Sequence, residues 1–179
     1  MKMLFKRLNE LESKGKPIIV GCNGAGWMGE GFVAAVKHVP GMRIGVLSDS
    51  DSQKSLSTLI EFGGLEESAI VVTEDHMIAN QAVSSGKTVV CTDPVLASSL
   101  DAVDVVTDVT PSPASGVHVA YWAILNKKDV VLINIEADVT VGSYLKKLAK
   151  ENQTFYSVSS GDEPGCLMEL WDFVQCMGY

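Results

Sequence analysis

A dense run of glycines behind the first apolar stretch is the feature of this chain that points most directly to chemistry. Residues 21–31 read GCNGAGWMGEG and follow PIIV. The pattern G-x-G-x-x-G is completed by Gly24, Ala25, Gly26, Trp27, Met28 and Gly29. In such a motif the first glycine permits a tight strand-to-helix turn, the second lets a pyrophosphate reach the backbone, and the third allows the helix to pack closely on the strand. The helix then offers free N–H groups and its positive end to phosphates, so we predict a dinucleotide site.

A carboxylate stands where such a site needs one. Asp49 ends the next apolar run about twenty residues after Gly29, the position from which a carboxylate accepts hydrogen bonds from an adenosine ribose. It would repel a 2′-phosphate, which favours NAD. Ser48, Ser50 and Lys54 lie beside it and could hold that phosphate if Asp49 turned aside, so NADP stays open. The alternative is a glycine turn without a ligand next to a solvated Ser-Asp-Ser-Asp loop, which requires two independent features to coincide by chance.

Polar residues that follow later apolar runs are candidates for the remaining contacts. Thr110 and Pro111 are predicted to lie along the cofactor, and Asn134 to contact its nicotinamide side. Acidic residues cluster after two predicted strand ends, at Glu136, Asp138, Asp162 and Glu163. If they converge, they could hold a divalent cation that polarises a substrate carbonyl, or one could act as a general acid or base with a pKa raised by its neighbours. The catalytic candidates are therefore Asn134, Glu136, Asp138 and Asp162.

A purely structural interpretation of these acids is also open. Asp138 could cap a helix that begins at Val141, and Asp162 could shape the turn before a proline. Glu136 is the stronger functional candidate, because a charge that interrupts a buried strand end needs a partner. Asn23 is a further polar residue at a strand end, directly before the glycines, and the sequence offers no account of it.

These residues are positioned by a predicted alternation of strands and helices. Apolar runs of the length of buried strands are predicted at 18–22, 42–47, 88–92, 103–109, 130–135 and 154–158. Residues 69–73 form either a further short strand or the entry into the helix that follows. Helical periodicity predicts helices at 28–39, 52–62, 74–84, 117–124, 141–149 and 167–177. Alternation of this kind over about 160 residues predicts βαβ units, and therefore an α/β fold with a doubly wound, mostly parallel sheet of the Rossmann type.

The chain is interpreted as one domain preceded by a short helix. Residues 1–16 are predicted to form an amphipathic helix, because its leucines share one face and Gly15 is a stop signal. Residues 17–179 are predicted to form the dinucleotide-binding domain. The sequence stops just past a helix, where a doubly wound fold would normally add a strand. This indicates either a cut at a domain boundary, with the catalytic domain absent from the chain, or a naturally minimal domain; we favour the cut.

Composition and charge exclude several classes of partner. Hydrophobic residues make up 46% and charged residues 20% of the 179 residues, as in an ordinary globular domain. A formal net charge of −8 at pH 7 argues against nucleic acid, whose phosphates need a basic face. No apolar stretch reaches the roughly 18 residues of a membrane span, and the charged N-terminus is no signal peptide, which argues against a membrane partner. The 4 cysteines show no metal-ligand spacing, which favours reduced thiols in a cytoplasmic protein.

Three longer segments resemble a known group of enzymes. The segments are PIIVGCNGAGWMGEGFV, DVVLINIEADVTVGSYL and YSVSSGDEPGCLMELWDFVQCMGY. Together they resemble the N-terminal domain of homoserine-dehydrogenase-like oxidoreductases that carry a C-terminal SAF domain, a group that includes deoxyxylulose-phosphate-reductoisomerase-like proteins. The resemblance covers nearly the whole chain and is strongest at N-I-E-A-D-V and G-D-E-P. It implies an NAD(P)-dependent parent that runs on beyond this chain, with the catalytic and SAF domains outside it.

The resemblance also shows a departure. Homoserine dehydrogenases have Asn-Lys at the end of the fifth strand, and that lysine is catalytic. Here Asn134 matches, but Ile135 takes the lysine position and Glu136 follows. The resemblance therefore implies a reductase or reductoisomerase of a small phosphorylated or polyhydroxylated substrate rather than homoserine oxidation.

The sequence thus predicts the NAD(P)-binding domain of an oxidoreductase that acts on a small polar hydroxy or oxo compound and that is inactive as this fragment alone. The apolar stripe of the last helix predicts a homo-oligomer. A non-catalytic dinucleotide-binding regulator or sensor is the rival, although no basic helix-turn-helix is visible. A methyltransferase-like domain would also use a glycine loop and an acid, but the full three-glycine spacing favours a dinucleotide.

Overall fold

In the computed structural model, which describes residues 4–159 and 165–178, helices and strands alternate along the chain as the periodicity predicts. The helices are α1 (Leu4–Ser13), α2 (Trp27–Val36), α3 (Ser52–Glu61), α4 (His76–Ser84), α5 (Leu96–Ser99), α6 (Pro113–Leu125), α7 (Ile135–Asn152) and α8 (Gly165–Cys176). The strands are β1 (Ile18–Asn23), β2 (Met42–Ser48), β3 (Ile70–Val72), β4 (Thr88–Cys91), β5 (Val105–Asp108), β6 (Asp129–Leu132) and β7 (Tyr156–Val158).

The strands form one sheet with the order β3-β4-β2-β1-β5-β6-β7, and every pairing in the described part of the chain is parallel. The first half of the chain builds outward from one side of β1, and the second half builds outward from the other side, beginning with β5. The predicted doubly wound parallel fold is confirmed. In such a sheet ligands bind beyond the carboxyl ends of the strands where the order reverses, which here is the end of β1 between β2 and β5.

Two clusters of buried apolar side chains hold the helices to the sheet. One joins α4, α5, α6 and α7 to the sheet and contains Ile124, Leu132 and Leu145, all fully buried. The other joins α2 and α3 to β1 and β2 and includes Leu47 and Leu59. Each such side chain contributes about 1.5–3 kcal/mol relative to an exposed position, so the strand ends are carried by a rigid layered core.

The N-terminal helix α1 contacts the domain through Gly41, the residue before β2. The Glu12 carboxylate accepts a hydrogen bond from the Gly41 N–H at 2.8 Å. Gly41 has a φ of +69°, and a Cβ there would overlap the carbonyl oxygen of Leu8. Only a glycine therefore lets α1 approach this closely. Leu4 and Phe5 at the start of α1 remain 72% and 67% exposed.

The most consequential difference from the sequence prediction lies between β6 and α7. The strand predicted at 130–135 ends at Leu132, and the helix predicted from Val141 begins at Ile135. The cause is Asn134, whose side-chain oxygen accepts the Ala137 N–H at 3.1 Å and so caps the helix. The apolar run alone could not distinguish a long strand from a short strand followed by a capped helix.

The remaining differences between the predicted and observed elements are smaller. Helix α4 begins at His76 rather than at residue 74, because Asp75 accepts the Ile78 N–H at 2.9 Å. Strand β7 is shorter than predicted, and the short helix α5 was not predicted.

Across the described residues, the structure contains no helix of the length and apolarity that a membrane crossing requires.

Candidate functional site

A cavity of about 1010 Å³ opens where the order of the sheet reverses. It brings together most of the residues predicted to bind the cofactor, and also two of the predicted catalytic residues. The predicted residues in its lining are Gly24, Gly26, Trp27, Met28, Asp49, Thr110, Pro111, Asn134 and Glu136. Residues of the lining that sequence reasoning did not name are Val109, Pro113, Ile133, Val139 and Thr140. The cavity runs from Asp49, at the end of β2, across β1 to the first turn of α7.

The three glycines of the motif have different surroundings. Gly24 has a φ of +110°, a backbone conformation that side chains rarely adopt, and makes the turn out of β1. A Cβ on Gly29 would overlap the carbonyl oxygen of Gly24, so this glycine lets α2 pack against the turn. A Cβ on Gly26 would meet nothing closer than the Lys54 Nζ at 3.8 Å. The fold itself thus does not require a glycine at Gly26, and the space beside it opens into the cavity.

The N-terminus of α2 has no side-chain cap, unlike the N-termini of α3, α4, α6 and α7. Its N-cap residue is Gly26, and no side chain accepts a hydrogen bond from its first turn. By contrast, side-chain oxygens cap α3, α4, α6 and α7, from Asp51, Asp75, Ser112 and Asn134 respectively. The first-turn N–H groups of α2 are therefore left for an anion from the cavity, where the helix dipole also favours negative charge.

Trp27 and Met28 form an apolar lip at this helix start. They are 83% and 46% exposed, and both line the cavity. A second, smaller cavity of about 490 Å³ continues from them along α2 towards Phe32 and Phe62. An indole this exposed beside a cleft is placed to cover a bound ligand or to contact a neighbouring protein surface.

Asp49 links the end of β2 to the glycine loop. Its Oδ2 accepts the Ala25 N–H at 2.8 Å, and its Oδ1 accepts the Asp51 N–H at 3.0 Å and the Ser50 hydroxyl at 3.2 Å. Burial raises the pKa of Asp49, but these hydrogen bonds and the nearby Lys54 ammonium outweigh it, so the pKa lies below its ordinary value of 3.8. Asp49 is therefore a carboxylate at neutral pH.

The neighbours of Asp49 differ in their access to the cavity. Lys54 lines it. Ser48 is completely buried, and its hydroxyl donates to the Asn23 side-chain oxygen at 2.9 Å, away from the cavity. The predicted contribution of Ser48 to a phosphate site is therefore wrong, whereas the exposed Ser50 and Lys54 keep access to it.

A buried carboxylate behind the cavity wall escaped sequence reasoning. Asp108, at the end of β5, is fully buried and accepts five hydrogen bonds. Its Oδ1 accepts the Thr110 N–H at 3.1 Å, the Thr110 hydroxyl at 2.8 Å and the Asn134 amide at 2.9 Å. Its Oδ2 accepts the Asn23 amide at 2.5 Å and the Ser115 hydroxyl at 3.0 Å. Asn23, which the sequence left unexplained, thus joins β1 to β5 at their paired ends.

Asn134 is a structural element of the cavity wall. It is 2% exposed, its Oδ1 caps α7, and its Nδ2 donates to Asp108 and to the Ser112 carbonyl oxygen at 2.8 Å. Each polar atom of the amide therefore already has a partner within the protein. The contact of Asn134 with a nicotinamide stays a prediction. Only the small part of Asn134 that lines the cavity could make that contact.

The predicted catalytic carboxylates do not converge. Glu136 is exposed in the first turn of α7 and lines the large cavity, so the prediction that it interrupts a buried strand end is wrong. Asp138 instead lines a separate cavity of about 250 Å³ and accepts the Tyr156 hydroxyl hydrogen bond at 2.7 Å. It does not cap a helix at Val141. Burial and then this hydrogen bond raise the pKa of Tyr156. Asp162, with Glu163, lies outside the described residues.

Metal ligation finds no support in the described ranges. No group of three or more His, Cys, Asp or Glu side chains there is placed to hold an ion. Among the described residues that line the large cavity, Lys54 is the only cation, and it lies at the Asp49 end. The chemistry that this arrangement can perform is the binding of an anionic, extended ligand by backbone N–H groups, with a carboxylate at one end for hydroxyl groups.

Several solved structures have a similar fold. The chain is similar to KijD10, a 3-ketoreductase from Actinomadura kijaniata whose complex holds NADP, at 16% identity and a TM-score of 0.59 over 80% of this chain and 37% of that one. It is also similar to biliverdin reductase from Synechocystis sp. PCC 6803, in a complex with biliverdin and NADP⁺. The identity is 16% and the TM-score 0.56, over 80% of this chain and 38% of that one. A DOX-P reductoisomerase in complex with magnesium matches at 22% identity and 0.55 over 79% and 37%. The fold is of the Rossmann type.

The likeness at these identities extends to the fold. The chain spans about a third of the length of the solved structures it resembles. No protein-family model matches the sequence, and no curated protein matches it either.

Proposed function

We propose that this chain is the NAD(P)-binding domain of an oxidoreductase, a dehydrogenase or reductoisomerase whose substrate is a small polar hydroxy or oxo compound. The observation that carries the proposal is the uncapped N-terminus of α2, which faces a cavity at the switch point of the sheet. Gly26 keeps its backbone open to that cavity, and Asp49 stands beside the glycine loop at the β2 end of the cavity. A pyrophosphate at the helix and an adenosine ribose at Asp49 would use both features together.

The choice between NAD and NADP depends on two charged side chains at the adenosine end. The Asp49 carboxylate favours the free ribose hydroxyls of NAD, since it would repel a 2′-phosphate. Lys54 and Ser50 would favour NADP, and two of the similar structures hold that cofactor. Both oxygens of Asp49 already accept hydrogen bonds, yet a carboxylate oxygen has a further lone pair for a ribose hydroxyl. We retain NAD as the favoured cofactor.

The finer parts of the proposal rest on the sequence. They comprise the domain division at residues 1–16 and 17–179, the homoserine-dehydrogenase-like and SAF-domain relationship, a cytoplasmic location and the assignment of catalysis to a larger parent protein. The divalent cation has no support from the described residues and is left out of the proposal.

A dinucleotide-binding sensor without catalysis is the second candidate. It is favoured by one observation, namely that Glu136 and Asp138 line different cavities while Asn134 is committed to internal hydrogen bonds. Both candidates require dinucleotide binding, and they differ in the need for a catalytic group at the nicotinamide end.

Direct titration tests the shared part of both candidates. The purified chain is titrated with NADH and NADPH while the quenching of its tryptophan emission and the nicotinamide emission are recorded, with S-adenosylmethionine as the control ligand. We expect saturable binding of at least one dinucleotide and none of the control. The absence of binding of either dinucleotide at millimolar concentration would overturn the proposal, and binding of S-adenosylmethionine instead would favour a methyltransferase-like site.

A further inference from the structure

The Asp108 carboxylate combines complete burial with a negative charge that has no ion-pair partner in the described parts of the chain. All five of its hydrogen-bonding partners are neutral donors, from Asn23, Thr110, Ser115 and Asn134. Three of these donors, on Asn23, Thr110 and Asn134, are N–H groups that can only donate, and they reach both carboxylate oxygens, which favours the ionised form. Burying such a charge is costly, and five hydrogen bonds offset that cost without neutralising the charge.

The position of Asp108 relative to a bound dinucleotide follows from the proposed function, on which this inference rests. With the adenosine ribose at Asp49 beside β2 and the pyrophosphate at α2, the second half of the ligand extends across β1 to the ends of β5 and β6. The cavity wall there contains Thr110 and Asn134, and both donate hydrogen bonds to Asp108. The carboxylate thus lies one side chain behind the wall of the nicotinamide end.

The charges along the cavity are distributed unevenly. Lys54, the cation of the described lining, stands at the adenosine end, where it lies near Asp49. The opposite end has Glu136 in its lining and Asp108 behind it. An oxidised nicotinamide ring carries a positive charge, whereas the reduced ring is neutral. A charge held behind a protein wall acts on such a ring through a medium less screened than water.

We propose that Asp108 is a positioning residue of the dinucleotide cleft, and that its fixed negative charge favours the oxidised, cationic nicotinamide over the reduced one. Its hydrogen bonds hold the Thr110 loop and the capping amide of α7 in place, which sets the shape of the wall. Its charge acts in addition on the ring that lies against that wall. A purely structural role would affect both redox forms of the cofactor equally, so the two roles can be separated by measurement.

The test compares Asp108→Asn with Asp104→Asn by calorimetric titration with NAD⁺, NADH, NADP⁺ and NADPH. Asp104 precedes β5 at its other end, about 13 Å of strand away, and its carboxylate accepts the Ile19 N–H at 2.8 Å. The two variants therefore make the same substitution and the same change in net charge at the two ends of β5. Asp108→Asn is expected to weaken the binding of the oxidised cofactor about fivefold to tenfold more than the binding of the reduced cofactor. Asp104→Asn is expected to leave that ratio unchanged.

Each outcome decides a different question. The electrostatic role would be overturned if Asp108→Asn lost equal affinity for the oxidised and the reduced cofactor. It would also be overturned if the ratio of those two affinities were the same in Asp108→Asn and Asp104→Asn. If Asp108→Asn does not fold, the test is the affinity of the unaltered protein for the oxidised and the reduced cofactor, measured at low salt. There the proposal expects the oxidised form to bind at least as tightly as the reduced form, and a reduced form that binds ten times more tightly contradicts it. A protein that binds none of the four dinucleotides contradicts the proposed function itself.

Discussion

The Asp49 carboxylate accepts the Ala25 N–H across 2.8 Å and so joins the end of β2 to the glycine loop that follows β1. One side chain thereby fixes the position of the loop and presents a negative charge to the cavity. This link explains why the two features recognised in the sequence, the glycine motif and the acid after the second strand, belong to one site. The acid shapes the loop even before any ligand is present.

The first prediction concerns the replacement Asp49→Asn. Because the pKa of Asp49 in the folded protein lies below its ordinary value of 3.8, the carboxylate stabilises the fold at neutral pH. That contribution is fully present above the ordinary pKa and is lost as the pH falls through the lower pKa of the folded state. The difference in free energy of unfolding between the original protein and Asp49→Asn should therefore be larger at pH 7 than at pH 3. Urea denaturation at both pH values measures it, and a difference that does not depend on pH would contradict the role of the charge.

The features of this site that could be predicted from the sequence are those whose residues lie close together along the chain. Gly24, Gly26 and Gly29 act within a few residues of one another, so their spacing is informative. Asp49 lies farther along, but a βαβ unit of ordinary size fixes its distance. The cavity lining accordingly contains most of the predicted cofactor residues.

What the sequence could not reveal was contact across the sheet. Asn23 and Asp108 lie far apart in the chain and meet only because β1 pairs with β5. Two polar residues that end two buried apolar strands were the available signal. Asn134 was misread for a different reason, since its capping role depends on where the backbone leaves the strand. The positions of Glu136 and Asp138 then shifted from a strand end to a helix turn, and they point into different cavities.

The second prediction concerns cofactor selectivity. Lys54 is the cation of the described lining beside Asp49, where the proposed adenosine would lie, so it is the group best placed to hold a 2′-phosphate. Lys54→Met should weaken NADPH by about fivefold to tenfold and change the affinity for NADH little. Fluorescence titration with both cofactors measures the ratio. Lys147→Met, on the solvent face of α7 where its ammonium is 4.0 Å from Glu151, is a control with the same change in charge. An equal effect of both substitutions on the ratio would show that only net charge matters.

The third prediction concerns the pair of Tyr156 and Asp138, which joins β7 to α7. Tyr156→Phe removes the 2.7 Å hydrogen bond and should cost about 1 kcal/mol of stability, because the pair is only partly buried. The raised pKa of Tyr156 means that the neutral phenol stabilises the fold below its ordinary value of 10.0, and that this stability is lost as the pH rises through the higher pKa of the folded state. The original protein should therefore lose stability above pH 10 more steeply than Tyr156→Phe. Parallel alkaline denaturation curves would contradict this account.

The fourth prediction separates the enzyme from the sensor. Glu136 is the acid that lines the large cavity at its α7 end, where the proposed nicotinamide would lie, and it accepts no hydrogen bond from a neighbouring side chain in the described residues. If the proposed function holds, Glu136→Gln in an enzyme that contains this domain should lower kcat at least tenfold while the dissociation constant for the dinucleotide stays within a factor of about two. Asp138→Asn serves as the matched control, because Asp138 lines the other cavity and should affect turnover less. Unchanged turnover in Glu136→Gln would remove the acid from the mechanism.

The last prediction uses the different surroundings of three glycines on one helix. Gly26→Ala should weaken dinucleotide binding at least tenfold, because its Cβ would enter the cavity, where it meets no protein atom within 3.4 Å. Its cost in stability should be about 0.5–1 kcal/mol, because Ala is a poorer N-cap residue than Gly. Gly31→Ala, an exposed position inside α2 with open space around it, should stabilise the protein by about 0.5–1 kcal/mol and leave binding intact. Gly29→Ala should destabilise the fold by about 1–3 kcal/mol, since its Cβ would overlap Gly24.

Thermal melts and cofactor titrations of the three variants, made side by side, test this order. The informative comparison is between Gly26→Ala and Gly31→Ala, because both add one methyl group to an unobstructed position and only one of them faces the cavity. Loss of binding confined to Gly26→Ala, in a protein that melts normally, means that the ligand comes against the backbone at that residue. Normal binding by Gly26→Ala would place the pyrophosphate elsewhere, and the uncapped start of α2 would then need another explanation.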